Sequence, residues 1–428
     1  MNLDSIKKVY FIGIGGIGIS ALAQLFLSRG IQVLGSDMFE TPVTKKLIEK
    51  EVKVVFNQKT ENITDDIDLV IYTIAIPEDH PELVEARRKK IITKTYPEML
   101  GVVSKDSYTI AISGTHGKTT TTAMIADVLI DAKLKPTVIV GSLISRYGSN
   151  FVEGGKKYFV VEACEYRRSF LNINPNILAI TNIEEDHLDY YKDLEDIQKA
   201  FRSIIEKVPA DGYVICNPND PNVKVVLENT KATIIDYTKM PKIKLKVPGE
   251  HNIKNAQVAF AIGENLKISK EDTQKSLENF SGTWRRFEYK GETKTGALIF
   301  DDYAHHPQEV TATIKALREK FPEKKAQVIF QPHQFSRTKS FLKDFAKSLS
   351  LADQVFIAPI YAAREKDDRS ISHQDLVREI QKLGVDAIAF NNFEEIIDDL
   401  KEINGQCVIM TMGAGDIYKV GDMLISRE

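Results

Sequence analysis

The stretch that most limits what this chain can fold into runs from Tyr108 to Thr122. An apolar run, Tyr108 to Ile112, reads as a buried strand. It breaks at Gly114-Thr115-His116-Gly117, followed by Lys118-Thr119-Thr120, and a helical pattern resumes at Ala123-Met124-Ile125. Strand, glycine turn, Lys-Thr and helix is the layout of a phosphate-binding loop: the turn's N–H groups and the unpaired N–H groups of the helix's first turn aim at an anion. Lys118 would add a point charge on the outer phosphates, and the Thr119 hydroxyl would reach a magnesium ion. The common form G-x-x-x-x-G-K-[ST] is not met, because Ile112 stands where its first glycine belongs. The plain alternative is an ordinary strand–helix turn.

A second glycine turn lies near the start. Lys8 to Ile14 reads as a strand, Gly13-Ile-Gly15-Gly16-Ile-Gly18 satisfies G-x-G-x-x-G, and a helix is expected from Ile19 to Arg29. The next strand, Ile31 to Gly35, ends in Ser36-Asp37. Glycines there would admit a diphosphate to the helix N-terminus while the acid meets a ribose hydroxyl. NAD and a UDP-sugar satisfy the same physics, so both readings stand on these residues alone. Lys7-Lys8 before the apolar Val9 to Leu27 also looks like a secretory leader. The glycine spacing, the strand that follows and the lack of a small-x-small cleavage site argue against it.

At 428 residues the chain is too long for one core, and roughly 150 residues per domain suggests three. A formal charge of −3 offers no basic field, so neither nucleic acid nor an acidic membrane is an expected partner. Three scattered cysteines, Cys164, Cys216 and Cys407, make neither a disulfide framework nor a zinc site, and a reducing cytoplasm fits. No run approaches the roughly 18 apolar residues of a membrane span.

Short β-branched runs continue at Val52–Phe56 and Leu69–Thr73, with a polar linker expected at Ser104-Lys105-Asp106. Further strands are expected at Thr137–Val140, Tyr158–Glu162, Ile177–Thr181, Tyr213–Cys216 and Thr233–Tyr237. Two of these ends deliver Glu162 and His187 towards the loop's side of the sheet, a plausible Mg²⁺ site; a surface ion pair and a capping histidine are the plainer readings. Asn252 and Asn255 share one face of a helix's first turn, where amides can pair with an adenine edge or cap. After Phe280-Ser-Gly282-Thr, a strand Ala297–Phe300 ends in Asp301-Asp302-Tyr303-Ala-His305-His306-Pro307, with a helix from Pro307 to Lys320. Ala326–Phe330 leads into Gln331-Pro-His333-Gln-Phe-Ser336-Arg337-Thr338. Gln354–Ile357, Ala387–Phe390 and Val408–Thr411 complete an alternation that predicts α/β domains with largely parallel sheets.

Ser113-Gly-Thr-His-Gly-Lys-Thr-Thr-Thr, Thr181-Asn-Ile-Glu-Glu-Asp-His, Gly249-Glu-His-Asn-Ile-Lys-Asn and Asp301-Asp-Tyr-Ala-His-His-Pro, in this order, resemble the signature set of the Mur ligases. Phe330 to Thr338 and Glu162-Ala-Cys-Glu-Tyr-Arg-Arg resemble the branch that adds L-alanine to UDP-N-acetylmuramate. The resemblance implies three domains: a Rossmann-like UDP-sugar domain (1–104), a central ATPase of phosphate-loop type with a mostly parallel sheet (105–281) and a Rossmann-like C-terminal domain (282–428). It implies an ATP-dependent ligase of peptidoglycan precursor synthesis, working through an acyl phosphate and closing around its substrates.

By the same resemblance Gly114, Thr115, His116, Gly117, Lys118, Thr119 and Thr120 hold the triphosphate. Thr119 and Glu162 bind one Mg²⁺ and His187 a second, with Mn²⁺ as a substitute. Asn252 and Asn255 face adenine, and Arg286 and Asp302 also serve the nucleotide. Gly15, Gly16, Ser36 and Asp37 hold UDP. Tyr303, His305, His333 and Arg337 surround L-alanine. A monomer or weak homodimer is expected. The segment Asn217–Val247 is shorter than in the family, so some peripheral β structure should be missing, and no lysine is identifiable as the carbamylated metal ligand of some members. A ligase that attaches a ready-made tripeptide to the same sugar nucleotide is the nearest alternative, and an NAD-dependent oxidoreductase the alternative of another class.

Overall fold

The computed structural model describes residues 3–188, 190–363, 365–367, 369–401 and 403–426. The chain builds three α/β domains around three sheets. The first sheet contains β1 (Lys8–Ile12), β2 (Gln32–Ser36), β3 (Lys53–Val55), β4 (Leu69–Tyr72) and β5 (Ile92–Thr95), in the order β3-β2-β1-β4-β5 and all parallel. The second contains β6 (Tyr108–Ser113), β7 (Thr137–Ile144), β8 (Ser149–Val152), β9 (Tyr158–Glu162), β10 (Ile177–Ile180), β11 (Tyr213–Cys216) and β12 (Thr233–Asp236). Its order is β12-β11-β10-β6-β9-β7-β8, and only the β7–β8 pair is antiparallel. The third contains β13 (Glu288–Glu292), β14 (Leu298–Asp302), β15 (Lys325–Phe330), β16 (Gln354–Ile357), β17 (Asp386–Ala389) and β18 (Cys407–Met412). Here the order is β13-β14-β18-β15-β16-β17, with β13 antiparallel at one edge.

Central strands covered on both faces read as near-continuous apolar runs, and β6, β10 and β18 do: every residue from Thr109 to Ser113, Ile177 to Ile180 and Cys407 to Met412 is buried, and only Thr109, Ser113 and Thr411 among them are polar. The three strands missed in the sequence, β5, β8 and β13, are edge strands. β5 and β13 have no fully buried residue, so their side chains carry no apolar signal.

The chain divides into two compact units, one of residues 1–244 and 254–280, the other of 245–253 and 281–428. The first two sheets therefore share a unit. Val9, Phe11, Leu22 and Phe26 belong to the same apolar cluster as Phe159, Phe170, Phe201 and Ile204. The expected linker at Ser104-Lys105-Asp106 is corrected accordingly. Ser104 and Lys105 close the helix Tyr96–Lys105, and Ser104 is buried. Its hydroxyl donates to the Gly101 carbonyl at 2.8 Å and its carbonyl accepts from Thr109 Oγ1 at 2.9 Å. The limits 104/105 and 281/282 remain our proposed domain boundaries. Among the described residues no helix is long and apolar enough to cross a membrane.

Candidate active site

The second sheet places its glycine turn after the central strand β6, between the loops that follow β9 and β10. Gly114 (φ +130°) and Gly117 (φ +83°) both take backbone conformations that favour glycine. A Cβ at Gly114 would lie 2.1 Å from Thr181 Oγ1, and one at Gly117 2.5 Å from Asn255 Oδ1. The helix Lys118–Asp131 begins directly after Gly117, and no side chain caps its N-terminus. Its first intrahelical bond runs from Thr121 N to Gly117 O, 2.9 Å, so the N–H groups of Lys118, Thr119 and Thr120 precede the ladder. The loop after β10 braces the turn from behind. Thr115 N donates to Asn182 O (3.1 Å), His116 N to Asn182 Oδ1 (2.9 Å), and the His116 carbonyl accepts from Thr181 Oγ1 at 2.6 Å. The His116 ring lies 3.5 Å from Glu184.

Lys118 folds back over the turn. Its Nζ donates to the carbonyls of Gly114 (2.6 Å) and Thr115 (2.9 Å) and to Glu165 Oε1 (2.9 Å). Burial works against this charge, but the nearby acids, Glu165 foremost, outweigh it and hold the ammonium above its ordinary range. Glu165 lies inside the Glu162-Ala-Cys-Glu-Tyr-Arg-Arg motif, where the sequence alone gives it no role. It is 2% exposed, it meets the His187 ring at 3.7 Å, and its Oε2 has no hydrogen-bond partner among the described residues. Such a buried lone pair is an acceptor still to be satisfied.

Thr119 and Glu162 are brought together: the hydroxyl donates to Glu162 Oε2 at 2.9 Å, and the same oxygen accepts from Gly141 N at 2.8 Å. His187 (φ +54°) stands instead with Glu165 and Asp186, its ring 4.8 Å from that of Tyr166. Among the described residues no three His, Cys, Asp or Glu side chains are placed to hold a metal ion by themselves. A hydroxyl beside one carboxylate and an imidazole beside another still fit a hard cation such as Mg²⁺, which takes one or two protein ligands and fills its octahedron with phosphate oxygens and water.

Asn255 is buried and its amide lies against Gly117. Asn252, also buried, donates from Nδ2 to the Pro248 carbonyl at 2.7 Å at the start of the helix Glu250–Asn265.

The first sheet repeats the backbone device without the charges. Gly13 (φ +77°) follows β1, and the helix Ile17–Ser28 starts at Gly16 with no side-chain cap. Asp37 does not stand clear for a ribose: its Oδ2 accepts from Gly15 N at 2.7 Å and its Oδ1 from Met38 N at 2.7 Å. Gly15, Gly16 and Asp37 are thus together; Ser36 also joins the turn through its carbonyl, which accepts from Gly13 N (2.8 Å) and Ile14 N (3.0 Å), but its hydroxyl turns away. Its side chain is fully buried and donates to Glu82 Oε2 (2.5 Å), whose other oxygen accepts from Tyr10 and Asn62.

In the other unit, Tyr303, His305, His333 and Arg337 gather around the ends of β14 and β15. The His305 ring lies 5.4 Å from that of Tyr303 and 5.9 Å from that of His333. Arg337 Nη1 is 3.3 Å from His333 Nδ1, and the Tyr361 ring stacks on that of His333 with centres 5.6 Å apart. Burial, with His305 and Arg337 alongside, pushes the His333 imidazole down to about 3, so it stays neutral. Glu309 approaches His305 Nδ1 at 3.3 Å. Asp302 is committed to the backbone, accepting from Phe287 N and Ala304 N at 2.8 Å each; burial raises it to about 6, against the pull of Arg286. The Arg286 guanidinium lies 5.3 Å from the centre of the Tyr303 ring. Its neighbour Arg285 is buried and bonds Asp301 (2.7 Å) and the carbonyls of Gly413 and Gly415. Glu165, Glu309 and Tyr361 lacked a sequence signal beyond their place in or near the recognised motifs.

Three family models match in order along the chain: the Mur ligase family catalytic domain over residues 8–108, the Mur ligase middle domain over 112–243, and the Mur ligase glutamate ligase domain over 285–415. The chain is 40% identical over 454 aligned residues to the UDP-N-acetylmuramate–L-alanine ligase of Clostridium acetobutylicum, covering 99% of this chain and 98% of that one. It is 42% identical over 450 to the protein of the same name from Lachnospira eligens, covering 97% of each. The crystal structure of a UDP-N-acetylmuramate–alanine ligase from Thermotoga maritima superposes with a TM-score of 0.84 at 29% identity, over 98% of both chains.

Proposed function

The chain belongs to the Mur ligase family, and from that premise we propose that it is an ATP-dependent ligase joining L-alanine to the carboxylate of UDP-N-acetylmuramate in peptidoglycan precursor synthesis. The observation that carries the proposal is Lys118, held over an uncapped helix N-terminus by two turn carbonyls and the Glu165 carboxylate. A turn built this way neutralises a triphosphate and aims its terminal phosphoryl group.

In the first half-reaction an oxygen of the sugar-nucleotide carboxylate attacks the γ-phosphorus of ATP. The bond to the β–γ bridging oxygen breaks, ADP leaves, and an acyl phosphate remains. The amine of L-alanine then attacks the acyl carbon, and inorganic phosphate departs as the amide forms. Two anions must meet in the first step, so the protein's contribution is positive charge and positioning. Lys118 and the N–H groups of residues 118–120 would take the phosphates, and Asn255 would hold the base side of the nucleotide. Thr119 with Glu162, and His187 with Glu165, would hold Mg²⁺, which supplies charge neutralisation between carboxylate and phosphate. In the second step the L-alanine ammonium must lose a proton. His305, supported by Glu309, would accept it, since His333 is too weak a base at about 3. His333, Tyr361 and Arg337 would then form the wall that orients the amino acid. Gly15, Gly16 and Asp37 are assigned to UDP, and Arg286 and Asp302 to the nucleotide. ATP, UDP-N-acetylmuramate and L-alanine are the substrates, and the cytoplasm supplies all three.

The test is ADP release from purified protein with Mg²⁺, ATP and UDP-N-acetylmuramate, with L-alanine in one arm and L-Ala-γ-D-Glu-diaminopimelate in the other. Turnover with L-alanine is expected. Turnover with the tripeptide alone would transfer the protein to the recycling reaction, and none with any amine would overturn the reading.

A further inference from the structure

We propose that Arg167 binds an anionic group of the sugar nucleotide in a cleft at the carboxyl edge of the first sheet; the inference rests on the reaction assigned above. The cleft, about 310 Å³, is bounded by Tyr72 and Ile74 beyond β4, by Thr95 at the end of β5, and by Arg167, Ser169 and Asn172 on the segment that follows Glu165. Open α/β sheets bind ligands at this edge, outside the carboxyl ends of their strands.

The segment is held in an unfavourable shape. Arg167 (φ 51°, ψ 29°) and Arg168 (φ 57°, ψ 23°) are successive non-glycine residues in the left-handed region. Such a conformation persists only where the surroundings over-determine it, and it collects at ligand sites. Here the anchors are plain. Arg168 pairs with Asp196 at 2.6 Å, Phe170 is fully buried against Phe201, and Tyr191 donates to the Glu165 carbonyl at 2.5 Å. They fix the segment on both sides of Arg167 and leave its side chain out.

Arg167 is exposed and meets no carboxylate among the described residues. It makes only a long contact, 3.4 Å, to the Ile74 carbonyl and lies 5.6 Å from the centre of the Tyr166 ring. The acid in the cleft, Glu78, is paired with Arg87 at 2.7 Å, so the guanidinium sets the sign of the site. Two residues upstream, Glu165 holds Lys118. A molecule that presents its carboxylate near Lys118 and its nucleotide to the Gly13 turn would pass this cleft. A guanidinium's fork suits either anion it carries, carboxylate or diphosphate.

Calorimetric binding of UDP-N-acetylmuramate and of UDP-N-acetylglucosamine, which keeps the diphosphate but lacks the carboxylate, is compared for wild type, Arg167→Gln, Arg167→Lys and Arg167→Gly. Arg167→Gln should weaken UDP-N-acetylmuramate by about ten-fold or more, leave KM for ATP and L-alanine within about two-fold, and be partly rescued by lysine. Arg167→Gly should lose the same affinity while its melting temperature holds or rises, because glycine tolerates the left-handed backbone. Loss towards both sugars identifies the diphosphate, and loss towards the acid alone identifies the carboxylate. Unchanged affinity in Arg167→Gln, or a loss that tracks a falling melting temperature in every variant, overturns the assignment. A wild-type protein that binds UDP-N-acetylmuramate without releasing ADP would instead overturn the reaction, and the calorimetry would still decide Arg167.

Discussion

Two strands of this molecule, β1 and β6, end in the same way: a glycine turn with positive φ, then a helix whose first residues no side chain caps. Around Gly13–Gly18 the side chains nearest the glycines are Thr73, Asp37, Thr44, Ile19 and Tyr96, and Asp37 is spent on the turn's own Gly15 N–H. The following helix, Ile17–Ser28, has no charged residue. Around Gly114–Gly117 a lysine lies across the turn, two glutamates and a histidine stand beside it, and Asp127 is buried in the helix behind. The backbone alone suffices to grip a diphosphate. Transferring a phosphoryl group requires side-chain charge that the grip does not. One turn is built to hold and the other to react.

Removing the charge from the reactive turn should have the largest effect. Lys118→Ala should lower kcat by at least ~10²-fold, the scale of a lost electrostatic contact to the transition state, while calorimetric affinity for UDP-N-acetylmuramate stays within about two-fold. Loss of both together would erase the distinction between the turns. Next, His187→Ala should raise the Mg²⁺ concentration for half-maximal rate by about ten-fold, as for a lost metal-site residue, again without touching the sugar nucleotide. A magnesium titration superimposable on wild type would remove His187 from the metal site.

The holding turn should respond in the opposite sense. Asp37→Asn keeps an acceptor for Gly15 N but weakens it, and should raise KM for UDP-N-acetylmuramate by about three- to ten-fold, one charge-assisted bond's worth, with kcat unchanged. A fall in kcat at saturating sugar nucleotide would make this turn catalytic. The smallest effect concerns Asp127, which burial raises to about 6 from 3.8, against the pull of Tyr147 and Arg146. The folded chain binds that proton more tightly than the unfolded one, so this contribution to stability is full below about pH 4 and is lost as pH rises through 6. Asp127→Asn should therefore gain on wild type by about 2–5 °C in Tm between pH 4 and pH 7. A constant offset across that range would show that Asp127 does not titrate there.

Much of this was legible in the order of residues. The glycine turns, Lys118, Thr119 and Glu162, and the strands Tyr158–Glu162, Tyr213–Cys216 and Gln354–Ile357, stand where the pattern puts them, because buried parallel strands and tight turns admit few residue types. Legibility failed where a side chain's neighbour lies far along the chain. Ser36 reads as a ligand-facing hydroxyl until Glu82, forty-six residues on, takes it inward. Glu165 reads as one more acid until the fold sets it against Lys118, forty-seven residues back. Asn252 reads as facing adenine or capping its helix, and the fold has its amide nitrogen donate to the Pro248 carbonyl just before that helix. The edge strands β5 and β13 escaped because solvent on one side removes the apolar alternation that announces a strand.

The interior shared by the first two sheets has a consequence for dissection. Phe26 and Phe159 belong to one oily mass. A fragment ending at residue 104 would keep the sugar-nucleotide turn yet bare a face that water should never touch, so it is expected to precipitate rather than bind. The holding turn and the reacting turn are thus expected to be inseparable by scissors.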